Sequence, residues 1–381
     1  MPVNLKSIID RITQIHKSKD TIGIDIGATS IKFAQIRKSG ETFEILLCKS
    51  VENPPTLVMA TELTPELREE IIKNIKQTIS KEGIKTRSAA TSIMGNSVIV
   101  RYVKFPKMSP EELSKSLRFE AEEFVPFDIT DVYLCAEIIR DVEEEGQPKM
   151  ESVFVAAKRD IVDTKIDILR DAGLTPVVID VDSFCVLNLV EQIQPTFVDE
   201  NAVLLHIGAR MTSLAISEHG IVRVVRDIPF GGNLISNFIM NTFACDYSQA
   251  EALKKQYGLV PSDEMESAPD PEVAEQVTNA SIQAIDEHLI PEVQRSIDFF
   301  NTISTSGEEI RRIILTGGGA LLKNFDRYLN RQFDIEVSPF NPFEHFEHNL
   351  PPEVIETGPV YAVALGLALR KSGDTSAVRA E

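Results

Sequence analysis

The residues best suited to chemistry lie in a glycine-containing bend near the start of the chain. Two short apolar runs, 22–26 and 31–34, have the alternation of strands, and Gly27-Ala28-Thr29-Ser30 joins them. Gly27 relieves the steric limit at the bend, so successive backbone N–H groups can point into one concavity that attracts phosphate oxygens. Asp25 adds a carboxylate that could hold a hydrated magnesium ion. Many ordinary hairpins have such a bend, so alone it is weak evidence for a phosphate site.

A second stretch of the chain repeats the pattern of this first bend. Residues 204–210, Leu-Leu-His-Ile-Gly-Ala-Arg, again place a glycine directly after a short apolar strand. The matching positions are Ile26 with Ile207, Gly27 with Gly208, Ala28 with Ala209, and Ala34 with Ala215. Internal repetition of this kind predicts two related domains. We therefore expect each domain to offer one glycine turn to a single ligand held between them.

Two further glycine groups follow predicted strands. Phe230-Gly231-Gly232-Asn233 opens a helix, where backbone N–H groups can bind phosphate, although the same glycines could simply permit a close turn. Gly317-Gly318-Gly319 comes after the apolar strand 310–316. The paired bends favour the phosphate interpretation for Gly232.

The elements that must position these groups form an α/β pattern. The first bend is followed by a strand, a helix at 64–82 and another strand, and Thr64 and Pro65 are typical of a helix start. This order predicts a domain built on a central sheet. Near the end of the chain, residues 359–369 predict a helix rich in small residues, which suits a tight crossing between domains.

The segment 97–172 departs from this pattern and is predicted to be a compact insert. It contains predicted strands at 98–105, 132–140 and 152–158, and the acidic stretch 141–148 is expected to be the turn between the last two. A length of about 75 residues is enough for a small core of its own.

Composition limits the classes of function. The 381-residue chain has a formal net charge of −19, which argues against broad electrostatic binding to nucleic acid or anionic lipid. Its four cysteines, Cys48, Cys135, Cys185 and Cys245, form no CxxC pair, so neither a disulfide scaffold nor a zinc knuckle is indicated. No run approaches the ~20 apolar residues that span a bilayer, and no signal peptide is recognisable. We expect a soluble cytoplasmic protein.

The first 20 residues predict an amphipathic helix. Its apolar stripe consists of Leu5, Ile8, Ile9, Ile12 and Ile15, opposite charged and polar residues. A membrane-surface role is conceivable because this end of the chain is locally basic. The apolar face is short, however, and packing or docking to a partner explains it better.

Taken in order, these features resemble the actin-like ATPase fold, an α/β fold of two related lobes. The two bends, Thr316-Gly317-Gly318-Gly319 after a strand, and the small-residue helix occur here in that fold's order. The insert resembles the extra subdomain, 1C, of the cell-division protein FtsA. Over residues 20–371 the chain is similar to the PilM family of type IV pilus assembly proteins, whose signatures match residues 119–127, FEAEEFVPF, and 363–370, VALGLALR.

The resemblance implies a division of the two lobes into subdomains. After the helix at 1–20, subdomain 1A would comprise 21–96, 173–200 and 352–381, with subdomain 1C inserted at 97–172. Subdomain 2A would comprise 201–245 and 312–351, and subdomain 2B would comprise 246–311.

The same resemblance implies a site for ATP and magnesium (Mg2+) between the lobes. The phosphates would meet Gly27, Ala28, Thr29, Ser30 and Lys32 from one side, and Gly208, Ala209 and Arg210 from the other, with Gly232 nearby. Glu251 and Lys254 would hold the ribose and the adenine edge, although a Glu-x-x-Lys pair is more often an ordinary surface ion pair. Gly317, Gly318 and Gly319 would let the backbone approach the nucleoside closely.

One position departs from the family pattern and bears on catalysis. His206 stands where such proteins usually carry an aspartate. A histidine cannot replace a carboxylate in holding magnesium-bound water, and near neutral pH it is largely uncharged. Asp25, with Asp180 or Asp182, remains to position water; we predict Asp25 and Asp182 as the catalytic pair and Asp25 as the magnesium ligand. Because phosphoryl transfer depends on positioning and charge neutralisation, we expect ATP binding with slow or negligible hydrolysis.

A partner and a location are also implied. Proteins of this family bind the short N-terminal cytoplasmic peptide of the membrane protein PilN in a groove at subdomains 1A and 1C. Here that predicts a surface around Val98–Phe105 and Leu113–Phe124, because an extended peptide needs only main-chain hydrogen bonds and a few apolar pockets. Such a partner would hold the protein peripherally at the inner membrane. Other pilus assembly proteins, including the pilus ATPases, and a second copy of the chain could be further partners.

Two other function classes share this fold. A membrane-tethering filament protein of cell division, like FtsA, would predict an amphipathic helix at the end of the chain, whereas the residues from Arg370 onward are few and polar. A sugar kinase or a heat-shock-chaperone-like ATPase would predict an acidic base or a substrate module, and neither stands out. Both stay open as alternatives because fold alone does not determine function.

Overall fold

The structure is a computed structural model that describes residues 20–39, 42–60, 62–371 and 378–380. Its strands are β1 Ile22–Ile26, β2 Ser30–Ser39, β3 Thr42–Glu52, β4 Ser88–Ile93, β5 Val98–Pro106, β6 Val132–Glu144, β7 Gln147–Lys158, β8 Thr175–Val181, β9 Asn201–Ile207, β10 Thr212–Glu218, β11 Ile221–Ile228, β12 Arg312–Thr316, β13 Glu336–Pro339 and β14 Val378–Arg379. The amphipathic helix predicted at 1–20 lies outside the described residues, apart from Asp20.

The helices frame these strands in an alternating order. They are α1 Pro55–Met59, α2 Pro65–Lys81, α3 Pro110–Ala121, α4 Arg159–Asp171, α5 Asp182–Ile193, α6 Gly232–Phe243, α7 Tyr247–Tyr257, α8 Pro271–His288, α9 Ile290–Ile303, α10 Phe325–Phe333, α11 Pro352–Ile355 and α12 Ala362–Leu369. The predicted cap Thr64 accepts a hydrogen bond from the backbone of Leu67, so α2 begins where the sequence indicates. In the part of the chain described, no helix has the length and apolar character to span a bilayer.

Two five-stranded sheets have the same strand order, which confirms the predicted duplication. One sheet runs β3-β2-β1-β4-β8 and the other β11-β10-β9-β12-β13. In each, three antiparallel strands are followed by two parallel ones. The bends β1–β2 and β9–β10 therefore occupy equivalent places in the two sheets.

The insert forms the third sheet, ordered β14-β6-β7-β5, with α3 packed on it. A complete capping box at Ser109 and Glu112 begins α3. The acidic stretch 141–148 is mostly strand rather than the predicted turn, because β6 and β7 pair as far as Glu144 and Gln147. Only Glu145 and Gly146 make the turn, both with positive φ.

Two elements pack with a different subdomain from the one to which the predicted boundaries at 172 and 352 assign them. Helix α4 falls within 97–172, yet Ile168 and Leu169 are buried in the core of the first five-stranded sheet. Strand β14 falls within 352–381, yet it pairs with β6 of the inserted sheet. The insert is therefore joined to the first lobe through both elements.

The small residues near the end of the chain pack closely, but within the first lobe and not at the predicted crossing between domains. A Cβ at Gly366 would lie 2.0 Å from the carbonyl oxygen of Cys185 on α5, and one at Gly23 would lie 2.0 Å from that of Ala364. Small residues thus let α12 contact both α5 and β1. Helices α8 and α9 follow one another directly and are divided beside Pro291.

Polar contacts tie the insert to the second lobe. Arg223 on β11 donates to Glu151 on β7 (2.6 Å) and to Glu218 on β10 (2.8 Å), and these three side chains are almost fully buried. The backbone N–H of Gly95 donates to the carboxylate of Asp227 over 2.7 Å. These contacts join the second lobe to the insert and, through Gly95, to the first lobe.

Candidate functional site

The first bend carries a buried ion pair. Asp25 on β1 and Lys32 on β2 are cross-strand neighbours, and Lys32 Nζ lies 3.1 Å from a carboxylate oxygen of Asp25. Both side chains are about one-tenth exposed. The ammonium lies over the bend itself, because a Cβ at Gly27 would sit 2.9 Å from Lys32 Nζ. Glycine thus lets the ammonium lie close to the backbone of the bend.

An asparagine that the sequence analysis missed braces this bend. The side-chain amide of Asn53 donates to the carbonyls of Gly27 (2.9 Å) and Ala28 (3.0 Å), and its backbone N–H donates to that of Thr29 (2.8 Å). With those carbonyls engaged, the bend is fixed before any ligand arrives. Ser30, the last predicted phosphate contact of the bend, is buried at the start of β2.

The second bend is fastened by backbone hydrogen bonds rather than by side chains. Gly208 donates to the carbonyl of Met211 (2.9 Å), Gly232 donates to that of Gly208 (3.0 Å), and Asn233 donates to that of Ala209 (2.7 Å). The Gly232 N–H, predicted to face phosphate, here secures the bend. Gly231 is required by packing, since a Cβ there would lie 2.6 Å from the carbonyl of Ala209.

His206, at the end of β9, brings the two bends into electrostatic contact. Its Nδ1 lies 3.0 Å from the hydroxyl of Thr316, and the side chain is buried. Burial lowers the pKa of His206 to about 4, with the charges of Asp25 and Lys32 acting in opposite directions. The imidazole is therefore neutral at physiological pH. It lies close enough to the first bend for the charges of Asp25 and Lys32 to influence its pKa.

The Arg210 guanidinium spans the two lobes. It donates to the carbonyls of Leu57 (2.7 Å) and Val58 (3.0 Å) on α1 of the first lobe. Partial burial lowers its pKa, and the charge of Tyr247 acts against that shift. The Arg210 side chain thus connects the second bend to α1 of the first lobe.

Glu251 and Lys254 are a half-buried pair on α7 and not an ordinary surface pair. Lys254 Nζ donates to the carbonyl of Gly232 (2.9 Å), to the hydroxyl of Ser236 (2.7 Å) and to Glu251. The lysine side chain is only 12% exposed. These contacts attach α7 to the start of α6, directly behind the second bend.

The three glycines after β12 differ in what they allow. Gly317 has φ +80°, and a Cβ there would meet the carbonyl of Ile207 at 2.5 Å. A Cβ at Gly319 would meet the Ile207 side chain at 2.2 Å, whereas one at Gly318 would meet nothing within 4 Å. Gly317 and Gly319 are therefore needed for packing on β9, and Gly318 leaves an open position beside it.

Two further charges lie beneath the first bend. Asp182, at the start of α5, is buried, and burial with the negative charge of Asp25 raises its pKa to about 7. Lys165 on α4, absent from the sequence-based site, donates to the carbonyl of Ile26 over 3.3 Å. Burial lowers the Lys165 pKa, and the charges of Asp182 and Asp25 oppose that shift. Both cations and both carboxylates thus belong to the first lobe.

The structure therefore brings the predicted residues into two adjoining groups. Asp25, Lys32 and the first bend are on one side, and the residues around Gly208, Gly232, Lys254 and Gly317 are contiguous on the other. Lys165 had a recognisable signal, since it occupies a position of the apolar stripe formed by Ile161, Val162, Ile168 and Leu169 on α4. Asn53 had no recognisable signal in the sequence other than its position before Pro54 and Pro55.

The donor set fits a magnesium nucleotide better than a tightly ligated metal. Among the described residues, no group of three or more His, Cys, Asp and Glu side chains could enclose a metal ion. Magnesium usually keeps several waters and needs one or two carboxylates plus phosphate oxygens. Asp25 supplies such a carboxylate, and Lys32 supplies a cation over a glycine bend.

Comparison with known proteins gives consistent results. The sequence model of a family described as type IV pilus assembly protein PilM matches residues 23–372. The structure resembles that of a PilM-PilN type IV pilus biogenesis complex with a TM-score of 0.78 and 26% identity, covering 92% of this chain and 98% of that one.

More distant relatives agree on the fold. MreB5 of Spiroplasma citri bound to AMPPNP gives a TM-score of 0.52 at 12% identity, covering 92% of this chain and 95% of that one. FtsA of Neisseria meningitidis is 27% identical over 161 residues, 38% of this chain and 37% of that relative, so the match spans little more than a third of FtsA. The predicted actin-like architecture is confirmed.

Proposed function

The chain belongs to the PilM family of type IV pilus assembly proteins, and we propose on that basis that it is a nucleotide-binding scaffold of pilus assembly. It binds ATP with magnesium in the cleft between the two bends. It also binds the N-terminal cytoplasmic peptide of the membrane protein PilN, and this holds it peripherally at the inner membrane. Through these contacts it connects the membrane assembly complex to the cytoplasmic machinery.

The observation that carries the nucleotide proposal is the meeting of the two bends. Asp25 and Lys32 lie across from His206, whose pKa both charges influence. The Lys32 ammonium neutralises phosphate charge, and the bend from Gly27 to Ser30 supplies N–H and hydroxyl donors. On the opposite side Gly208, Ala209 and Arg210 contribute backbone, because the Arg210 side chain is engaged with α1.

The rest of the site would hold the nucleoside. Glu251, partly buried behind the second bend, would offer its carboxylate to the ribose, and Lys254 would hold that carboxylate in place because its ammonium already donates to three acceptors. The open position at Gly318, between Gly317 and Gly319, leaves room for the adenine to lie against the backbone. Gly232 acts indirectly, since its N–H fixes the second bend.

We further propose that hydrolysis is slow. Asp25 would hold a magnesium ion through its waters, and the ion would supply neutralisation of phosphate charge. Asp182 is the remaining group that could take a proton from water, with Lys165 beside it. The equivalent position on the second bend is His206, which is neutral and engaged with Thr316, so that side lacks a carboxylate.

The match to a PilM-PilN complex over 92% of the chain supports the partner proposal. The two parts of the predicted surface lie on different sides of the inserted sheet. Strand β5 forms one edge, near β11 of the second lobe, whereas α3 lies over β6 and β14 at the other edge. The β6 edge, where β14 pairs and where the charge of Asp180 on β8 acts on Cys135, is the better candidate for a groove between subdomains 1A and 1C.

A titration with ATP and magnesium tests the nucleotide site. We expect saturable binding by calorimetry, weakened about ten- to a hundredfold in Lys32→Met because one charge-assisted contact is lost. Lys73→Met, at an exposed surface lysine, is the matched control and should bind as the parent does. Equal affinity in all three proteins would exclude the cleft as the site.

The partner is tested by titrating a labelled N-terminal peptide of the PilN encoded with this chain, with and without ATP. Saturable binding is expected, and a steady-state ATPase assay of the same samples should give slow or negligible turnover. Absence of peptide binding in both conditions contradicts the scaffold role, and rapid turnover contradicts the proposed role of His206.

A further inference from the structure

The outer edge of the inserted sheet is occupied by residues of the same chain. Residues 378–380, here called the tail strand, run antiparallel to β6, with Val378 opposite Ala136 and Arg379 opposite Cys135. The N–H of Ala380 donates to the carbonyl of Leu134 over 3.2 Å. This edge would otherwise present unpaired main-chain groups, which are a template for another extended segment.

A helix forms the second wall of this position. Ser114 on α3 donates its hydroxyl to the carbonyl of Arg379 over 2.5 Å. Ala380, opposite Leu134, packs against the apolar core of the insert. We call the space between Ser114 and residues 134–136 the β6 slot. It offers main-chain partners on one side, a hydroxyl donor on the other and room for a small apolar residue.

The tail strand is held by few interactions. It pairs with two residues of β6, a strand of 13 residues. A net hydrogen bond contributes little in water, and ordering three residues opposes it by a comparable amount. A longer extended segment could pair with more of β6 and would displace the tail strand without unfolding the insert.

The charges around the slot define the type of segment it accepts. Burial raises the pKa of the Cys135 thiol to about 11, and the positive charge of Arg379 acts against that rise. Glu137, two residues along β6, adds negative charge there, while the carboxylate of Asp180 is paired with Arg370 at 3.3 Å. A basic residue opposite Cys135 is therefore favourable, followed by a small apolar residue where Ala380 lies.

We propose that the β6 slot docks an extended partner peptide with a basic residue followed by a small apolar one, and that the tail strand occupies it in cis. The partner then binds only after the tail strand has left, so the chain masks its own docking site. This inference rests on the proposed function, since the partner is the membrane-protein peptide proposed above. It adds the place of docking and the internal competitor.

The test compares the full chain with a version ending at Lys371. A labelled peptide of residues 372–381 should bind the shortened chain saturably and the full chain at least fivefold more weakly. The labelled PilN peptide should bind the shortened chain at least fivefold more tightly than the full chain, and unlabelled 372–381 peptide should displace it. In the full chain, Ala380→Glu should reproduce the gain, while Lys371→Met, just before the removed segment, should not.

The outcomes separate this inference from the function it deepens. If neither form binds the PilN peptide but the shortened chain binds the 372–381 peptide, the slot stands and the partner assignment fails. If the PilN peptide binds both forms equally, the self-masking is wrong while the partner remains. Failure of the 372–381 peptide to bind a shortened chain with the parent's thermal unfolding midpoint overturns the slot itself.

Discussion

The two bends have the same backbone topology but differ in electrostatics, since one carries an ion pair and the other a neutral imidazole. Each joins two antiparallel strands at the same place in equivalent sheets. The first carries the pair of Asp25 and Lys32, whereas the second carries neutral His206 at the position corresponding to Asp25. The first is braced by the side chain of Asn53, the second by backbone hydrogen bonds from Gly232 and its neighbour.

This difference indicates a division of labour between related halves. The first lobe holds the groups that can neutralise or position charge. The second lobe contributes a closely packed backbone and the neutral side chain of His206. Duplicated folds commonly keep their architecture while their sites diverge, because the sheet needs only apolar residues and glycine whereas chemistry needs particular side chains. Substitutions in one bend at a time test whether the two lobes differ in this way.

The largest effect is expected from adding a methyl group to the second bend. In Gly231→Ala, the new Cβ would lie 2.6 Å from backbone atoms of Ala209 and 2.7 Å from the Arg210 nitrogen, none of which can move independently. We expect a loss of about 3 kcal/mol in the free energy of unfolding, measured by urea denaturation.

The matched change on the first bend should be milder for folding. In Gly27→Ala, the closest atom to the new Cβ is the end of a flexible side chain, Lys32 Nζ at 2.9 Å, although the Ser30 carbonyl at 3.1 Å must shift slightly. The loss should be about 1 kcal/mol or less, with weaker nucleotide binding because the ammonium is displaced. Equal losses of stability in both variants would remove the distinction between a packed bend and a charged one.

The pH dependence of the free energy of unfolding should also distinguish the two lobes, because His206 of the second lobe and Asp182 of the first change it in opposite directions. His206 has a pKa of about 4 in the folded chain and about 6.5 unfolded. Between these values the unfolded state binds more protons, so stability falls by up to about 3 kcal/mol as the pH drops through that window. Asp182 acts oppositely: its raised pKa means that the folded state holds a proton that the unfolded state loses, so stability falls as the pH rises from about 4 to 7.

Two variants isolate these opposing contributions. Relative to the parent, His206→Gln should lose less stability on acidification from pH 6.5 to 4.5, and Asp182→Asn should lose less as the pH rises over the same range. Urea denaturation at several pH values measures both. Differences of the same sign in the two variants would contradict the assignment of opposite charge environments.

Placing a carboxylate at position 206 of the second bend should lower stability and raise ATP hydrolysis. His206→Asp places a second buried negative charge near Asp25, and we expect a cost of about 2 kcal/mol in stability. Steady-state ATP hydrolysis should rise about tenfold, because a carboxylate could again help to position water. His206→Asn, which has similar volume without the charge, is the control and should leave turnover slow. Unchanged turnover in the aspartate variant would mean that hydrolysis is limited elsewhere.

Sequence patterns identified the architecture because duplication and glycine placement are local signals. The bend after Ile26 and its repeat after Ile207 can be recognised in the sequence, and they have equivalent places in the sheets. The acidic stretch 141–148 was predicted wrongly, because its charged residues line a solvent-exposed ribbon whose pairing, not its composition, makes it strand.

The missing parts of the site are contacts between distant segments. Asn53 reaches Gly27 only because β3 returns beside β2, and Lys165 reaches Ile26 from a helix more than a hundred residues later. Residue type cannot reveal such partners; a polar residue within an apolar stripe was the one available hint. The Gly232 N–H was assigned to phosphate because a helix start alone does not reveal a competing carbonyl such as that of Gly208.

The smallest effect on nucleotide binding concerns Arg210, which the family resemblance places among the phosphate contacts. Its guanidinium instead joins the second lobe to the carbonyls of Leu57 and Val58. Arg210→Met should lower the free energy of unfolding by about 1 kcal/mol and change ATP affinity by less than about threefold. Arg101→Met, at an exposed arginine of β5 that contacts a carbonyl of its own strand, is the control. A loss of ATP affinity as large as that of Lys32→Met would mean that the guanidinium turns to the phosphates when nucleotide binds, and the second bend would then be charged like the first.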